Sequence, residues 1–62
     1  MNISQASYEV FTDFFQGHIS FFSCTDKKLI DAIEVFFINS CMDYIKQVKH
    51  DTRHDIYTIS IN

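Results

Sequence analysis

The first third of the chain follows the period of an α-helix. At 100° per residue, the apolar side chains between Ile3 and Phe15 fall on one arc, which predicts an amphipathic helix from about Ser4 to Gln16. The members of this arc are Ile3, Ala6, Tyr8, Val10, Phe11, Phe14 and Phe15. Asn2 is suited to cap the start of the helix. Gly17 follows at the position where a left-handed residue commonly ends a helix.

A second apolar stripe begins after Asp26 and is longer. Its members recur at spacings of three and four residues, which predicts a helix from Asp26 to about Lys49. They are Ile30, Ile33, Phe37, Cys41, Tyr44 and Val48. Further apolar side chains lie beside or behind the stripe. A helix that is apolar on more than one face must be buried on more than one face, so we expect another molecule or the C-terminal segment to cover the second face.

Residues 55–61 alternate between polar and apolar types and contain β-branched and aromatic side chains, which predicts a β-strand. A lone strand leaves its backbone groups unpaired and needs a neighbour. The segment from His18 to Cys24, which fits either a short strand or an apolar loop, is one such neighbour. The same strand of a second copy and a sheet edge on a partner protein are the alternatives.

Together these elements predict one small domain over residues 1–62 that is mainly α, with an α+β fold as the alternative. The first helix is expected to pack antiparallel on the long helix, and the strand follows. A chain of 62 residues buries only about 60% of its unfolded surface. Because self-association is a common source of stability for so small a core, we expect a homodimer formed through the long helix.

Composition and charge exclude several classes of protein. The chain is 47% hydrophobic and has one glycine and no proline, which excludes a disordered segment. Its net charge of −3 disfavours a free-standing nucleic-acid binder. No apolar run approaches the ~20 residues that cross a bilayer, and the N-terminus lacks the features of a signal peptide. We therefore expect a cytoplasmic protein with no membrane partner, in which Cys24 and Cys41 are free thiols.

Residues with the chemistry of an active site are few. The chain has no glycine-rich phosphate loop, no nucleophile elbow and no paired Cys-x-x-Cys motif, so we expect neither an enzyme nor a cofactor. His50 and His54, with Asp51 or Asp55, are the best metal-ligating set. Cationic side chains at a helix C-terminus need no metal to explain them, however, and no metal is predicted. No motif is specific enough to identify a family.

Three pairs of adjacent phenylalanines are the most unusual feature: Phe14-Phe15, Phe21-Phe22 and Phe36-Phe37. Adjacent side chains point in different directions, so one ring of each pair is expected to emerge on another face unless a tight core takes all seven. Exposed aromatic clusters are typical of binding hot spots. The sequence therefore predicts a small acidic module that binds and modulates another protein, as an inhibitor, antagonist or accessory factor. The predicted interface residues are Phe22, Val35, Phe36, Ile38, Met42, Tyr57 and Ile59.

The alternative function is a dimeric nucleic-acid-binding regulator. It would use the only basic stretch, with Lys46, Lys49 and Arg53 as phosphate contacts.

The composition also indicates an AT-rich gene. Twenty-eight residues are of types with A/T-rich codons, and four are of types with G/C-rich codons. This bias is typical of phage and other mobile elements, and also of hosts with AT-rich genomes.

Overall fold

The computed structural model describes residues 2–61 and shows an α+β fold. Helix accounts for 43% and strand for 30% of it, so the prediction of a mainly α chain with one C-terminal strand is wrong. The elements in chain order are α1 (Ile3–Phe15), β1 (Phe21–Cys24), α2 (Lys27–Asn39), β2 (Tyr44–His50) and β3 (Asp55–Ile61).

Helix α1 forms where the apolar period predicts it, within one residue at each end. Asn2 caps it, because its side-chain oxygen accepts a hydrogen bond of 2.8 Å from the backbone N–H of Gln5. Gly17 adopts a φ of +78° and its N–H donates to the carbonyl of Phe14, while the N–H of His18 donates to the carbonyl of Asp13. These two bonds are the Schellman arrangement that ends many helices.

Helix α2 ends at Asn39 rather than near Lys49, because the same C-terminal arrangement stops it. Cys41 takes a left-handed conformation with a φ of 55°. The N–H of Cys41 donates to the carbonyl of Ile38, and that of Met42 donates to the carbonyl of Phe37. Cysteine is not a residue type that marks this position, unlike glycine or asparagine.

Strand β2 occupies the segment that was predicted to be the second half of the long helix. Tyr44 and Val48 are four residues apart, which is close to one helical turn and is also an even spacing along a strand. Both elements therefore place these two side chains on one face. The apolar stripe therefore does not distinguish a helix from a strand. The residue types of Tyr44, Ile45 and Val48, however, all favour a strand.

Strand β3 lies in the centre of a three-stranded antiparallel sheet, between β1 and β2. Phe22 on one side and Lys46 on the other lie opposite Ile59. The prediction of a strand over residues 55–61 is confirmed. Both of its neighbours come from the same chain, so the pairing of β3 needs no second copy.

The helices cover one face of this sheet and enclose the core, which consists of Phe14, Ile30, Ile33, Phe37 and Ile59. The helices run in roughly the same direction rather than antiparallel. Their N-terminal ends meet where Ile3 and Leu29 line one shallow depression. Their C-terminal halves meet where the rings of Phe14 and Phe37 lie 5.2 Å apart. Parallel helices result because β1 carries the chain back between them.

Helix α2 lies between α1 and β2. One of its flanks meets α1, where the ring centroids of Phe36 and Phe11 are 5.4 Å apart. The other flank meets β2, where Glu34 contacts Lys46. Beyond Tyr44, every residue of β2 is exposed. Within residues 2–61, neither helix has the length and apolar content that crossing a membrane requires.

Candidate protein-binding surface

Four aromatic rings line the outer side of the contact between α1 and α2. We call Tyr8, Phe11, Phe15 and Phe36 the aromatic cluster. The ring of Phe36 stacks on Phe11 at an interplanar angle of 19°, and its centroid lies 5.9 Å from that of Tyr8. Phe15 extends the cluster along α1, with its ring centroid 6.3 Å from that of Phe11. The rings therefore hold one another in place.

Two of the four rings of the aromatic cluster are exposed to solvent, whereas Phe11 and Phe36 are half-buried. Phe15 is 70% exposed and Tyr8 is 56% exposed. Helical spacing places both side chains about 100° around α1 from the buried Phe14, on the edge of the apolar arc that the core does not reach. Because the rings are already ordered by their neighbours, a partner that covers them loses little conformational entropy in fixing them.

The polar side chains next to the aromatic cluster are uncharged. One turn or less from its rings lie Ser4, Thr12, Asn39 and Ser40. The acidic side chains of α1, Glu9 and Asp13, lie on the opposite flank of that helix. An apolar centre without charge inside a polar rim is the usual composition of a protein–protein interface.

The predicted interface residues divide between surface and core. Val35 and Ile38 are 53% and 58% exposed on α2, and Phe36 belongs to the aromatic cluster. Three others, Phe22, Met42 and Tyr57, are half-buried against the core. Ile59 is fully buried, so its assignment to an interface is wrong. It lies in the central strand on the side that α2 covers, whereas the sequence does not decide whether this strand pairs within the chain or with another molecule.

Tyr8 and Phe15 were missing from the predicted interface because both were assigned to the buried arc of α1. The phenylalanine pairs did predict that one ring of each pair is more exposed than the other. In each pair one ring is more exposed than its neighbour: Phe14 is buried and Phe15 exposed, and Phe21 is more exposed than Phe22. Seven apolar positions on a 13-residue helix also exceed what one neighbouring helix covers.

A polar network ties β2 to the flank of α2 that faces away from the aromatic cluster. The hydroxyl of Tyr44 donates to Glu34 Oε2 at 2.6 Å. Lys46 Nζ lies 3.2 Å from Glu34 Oε1 and 3.5 Å from Asp31 Oδ1. The hydrogen bond that Tyr44 donates to the Glu34 carboxylate raises the pKa of the tyrosine. A second hydrogen bond, from Lys46 to the same carboxylate, is the largest cause of the raised pKa of the lysine. The charge of Lys46 is thus neutralised within the chain.

Glu34→Gln is expected to lower the pKa of Tyr44 towards its ordinary value, because a neutral amide does not favour the protonated hydroxyl as a carboxylate does. The chain has three tyrosines and no tryptophan. Tyr8→Phe and Tyr57→Phe therefore leave Tyr44 as the one phenol in an ultraviolet absorbance titration. The matched control, Glu9→Gln, should leave the titration unchanged. An unchanged pKa in Glu34→Gln would contradict the network.

The same network has a consequence for stability at alkaline pH. Because folding raises the pKa of Tyr44, its stabilising contribution is present at neutral pH and is lost as the pH rises through the folded-state pKa. The unfolding free energy of the Glu34→Gln chain should therefore fall less steeply above about pH 10 than that of the unsubstituted chain.

The three basic residues of the alternative function do not converge. Lys46 points to the helix side of the sheet, opposite Ile59, and is held by carboxylates. Lys49, an odd number of residues away, points to the other side. Arg53 lies in the turn between β2 and β3. This arrangement does not form a single phosphate-binding surface, and no observation favours nucleic-acid binding.

The two histidines of the candidate metal-ligating set, His50 and His54, do not lie on a helix. His50 belongs to β2, and its Nδ1 atom lies 2.7 Å from Asp55 Oδ1. His54 lies in the turn that follows β2. Among residues 2–61, the structure brings together no group of three or more His, Cys, Asp or Glu side chains that could hold a metal ion.

The chain matches no protein family, no curated protein and no solved structure. Its own surfaces are therefore the basis for assigning a function. Of these, the aromatic cluster combines ordered rings, exposure and an uncharged rim. The expected roles as an inhibitor or antagonist, and the origin in a phage or mobile element, stay predictions from composition.

Proposed function

We propose that this protein is a non-enzymatic module that binds another protein through the aromatic cluster and modulates that protein by covering part of its surface. The single observation that carries this proposal is a set of four packed rings, two of them exposed, inside an uncharged polar rim. Covering one large apolar side chain stabilises a complex by about 1.5–3 kcal/mol when its burial becomes complete. Tyr8 and Phe15 are more than half exposed, so much of this free energy is still available for binding.

Charge indicates the chemistry of the partner. The chain carries a net charge of −3, and the acidic side chains of α1, Glu9 and Asp13, lie on the flank of that helix opposite the aromatic cluster. A partner that binds the aromatic rings therefore approaches a chain of net negative charge whose α1 carboxylates lie away from the rings. The partner we propose is therefore a protein that carries an apolar patch and a net positive charge, since complementary net charge accelerates association.

The shallow depression between the N-terminal ends of the helices supports a non-enzymatic role. It is lined by Asn2, Ile3, Ala6, Asp26 and Leu29. Its one titratable side chain, Asp26, already accepts hydrogen bonds from the backbone N–H groups of Lys28 and Leu29. This carboxylate serves as the N-cap of α2.

The compartment we propose is the cytoplasm. Cys24 and Cys41 are both free thiols, and Cys41 is exposed. Exposed free thiols are typical of proteins in a reducing compartment.

Capture from a nuclease-treated lysate of the source organism tests the proposal. Three immobilised chains are compared: the unsubstituted protein, Tyr8→Ser with Phe15→Ser, and Gln5→Ser with Glu9→Ser. Both double variants place two serines on α1. Glutamine and glutamate favour a helix more than tyrosine and phenylalanine do, so the control loses at least as much helix propensity as the aromatic variant. We expect one stoichiometric protein on the unsubstituted and control chains, and at least tenfold less on the aromatic variant, because it lacks two exposed rings.

Two outcomes would contradict the proposal. One is equal capture by the aromatic variant, which would show that the partner binds elsewhere. The other is a lack of any captured protein on all three chains. Circular dichroism of each chain, recorded beforehand, confirms that the compared proteins are folded to the same extent.

A further inference from the structure

The outer edge of β2 has no neighbour among the described strands, because β2 ends the order β1-β3-β2. The N–H of Asp51 donates to the carbonyl of His54, which identifies that pair as hydrogen-bonded. Hydrogen-bonded and non-hydrogen-bonded pairs alternate along an antiparallel ladder. The odd-numbered residues of β2 therefore bond to β3. The backbone N–H and C=O groups that point outward belong to Tyr44, Lys46, Val48 and His50.

We infer that this edge pairs with β2 of a second copy of the chain, which joins two three-stranded sheets into one antiparallel sheet about a two-fold axis at Gln47. The register follows from the strand itself. Pairing centred on Gln47 brings outward-pointing groups opposite one another and engages all seven residues of β2. Shifting the axis to Lys46 or Val48 leaves residues at the ends of the strand unpaired.

Charge favours the same register. It places Lys46 opposite the second copy's Val48, and Lys49 opposite the second copy's Ile45, so no lysine faces a lysine. An axis at Lys46 would place the two copies of that residue directly opposite each other, and like charges in such a pair are destabilising. Gln47 meets its own symmetry mate, which amide side chains tolerate through mutual hydrogen bonds.

Lysines on an edge strand commonly prevent such pairing, but in this chain that effect is reduced. Lys46 is neutralised by Glu34 and Asp31 of its own protomer. Val48, on the helix side of the same edge, is 45% exposed. The flank of α2 above this edge carries exposed Val35 and Ile38, so an added copy meets apolar surface as well as backbone groups.

This dimer is compatible with the proposed function and does not depend on it. A two-fold axis perpendicular to the sheet places both helix layers on the same face. Because α1 lies on the side of α2 away from β2, each aromatic cluster stays remote from the axis and accessible. The dimer therefore presents two aromatic clusters in a fixed relative orientation.

Disulfide cross-linking at the axis tests the register. Directly opposite residues of a non-hydrogen-bonded pair have Cα atoms about 4.5 Å apart, which a disulfide spans. Gln47→Cys in a Cys41→Ser background should therefore form a covalent dimer in oxidised glutathione. Lys49→Cys in the same background is the control, since two residues at this position would lie roughly 13 Å apart. Burial raises the pKa of the Cys24 thiol, so this native cysteine supplies little thiolate.

The expected result is a predominantly covalent dimer for Gln47→Cys and a predominantly monomeric chain for Lys49→Cys. The inference is overturned if neither variant cross-links, if both cross-link equally, or if only Lys49→Cys does. Non-reducing electrophoresis of the two proteins at equal concentration distinguishes these results.

Val48→Pro provides a second test that requires no cysteine. The N–H of Val48 points outward, so proline removes a hydrogen bond to the second copy and none to β3. Sedimentation analysis should show a dimer for the unsubstituted chain and a monomer for Val48→Pro, while Val48→Thr remains dimeric. A dimer that persists in Val48→Pro at the same concentration would overturn the inference.

Discussion

Phe37→Ala is expected to abolish the cooperative unfolding transition of this protein at 25 °C. The side chain of Phe37 is fully buried. Its ring centroid lies 5.3 Å from that of Phe11, 5.2 Å from that of Phe14 and 5.4 Å from that of Tyr44. Replacing a buried phenylalanine with alanine costs about 3–5 kcal/mol. The core of so small a domain rarely supplies more than about 3–5 kcal/mol, so the substitution removes most of the stability.

Phe15→Ala is the matched control, since it makes the same chemical change on a side chain that is 70% exposed. We expect its unfolding free energy to stay within about 1 kcal/mol of the unsubstituted value. Urea titration followed by circular dichroism measures both variants. A loss below about 1 kcal/mol in Phe37→Ala would contradict the placement of this residue at the centre of the core.

Thr58→Pro is expected to be almost as damaging, because β3 is the central strand. Thr58 lies opposite Gln47, and its N–H belongs to a hydrogen-bonded pair with β2. Proline removes that bond and is found essentially only on edge strands, so the expected loss is about 3 kcal/mol or more. Urea titration again gives the change in unfolding free energy.

Two controls isolate the backbone effect of Thr58→Pro. Thr58→Ala removes the hydroxyl, which lies 2.8 Å from that of Ser23, and keeps the N–H. Val48→Pro places the same ring on the outer edge of β2, where the N–H has no partner within the protomer, and should leave the protomer folded. Equal destabilisation by Thr58→Pro and Val48→Pro would contradict the strand order β1-β3-β2.

The elements predicted correctly from the sequence are those whose limits are encoded locally. Asn2 and Gly17 mark the two ends of α1 by residue type, and the structure uses both. The strand over residues 55–61 follows from the alternation of polar and apolar positions, which is regular from Tyr57 to Ile61. In α1 the apolar positions fit the helical period, and in β3 they fit the two-residue period of a strand. In neither element does a flanking residue favour the other structure.

The end of α2 could not be predicted, because the residue that ends it gives no local indication. Cys41 adopts the left-handed conformation that glycine adopts at the end of α1. The apolar stripe continues past this point, since Tyr44 and Val48 share a face in a strand as well as in a helix. The strand is stabilised by its pairing with β3. That contact is tertiary, and its one local indication is the strand preference of Tyr44, Ile45 and Val48.

The candidate site was predicted only in part for a related reason. Phe36, Val35 and Ile38 were identified because they depart from the central stripe of α2, and this departure is visible along one helix. Tyr8 and Phe15 lie at the edge of the α1 arc. The edge of an arc is buried only if a neighbouring helix lies against it. In the structure α2 packs against Phe11 and leaves Tyr8 and Phe15 more than half exposed.

The most direct test of the protein-binding proposal is a calorimetric measurement of the dissociation constant between the captured protein and three forms of this chain. These are the unsubstituted protein, Tyr8→Ser with Phe15→Ser, and Gln5→Ser with Glu9→Ser. We predict at least tenfold weaker binding for the aromatic variant and an affinity within about threefold of the original for the control. Equal affinities for the unsubstituted chain and the aromatic variant would contradict the proposal that this surface binds the partner.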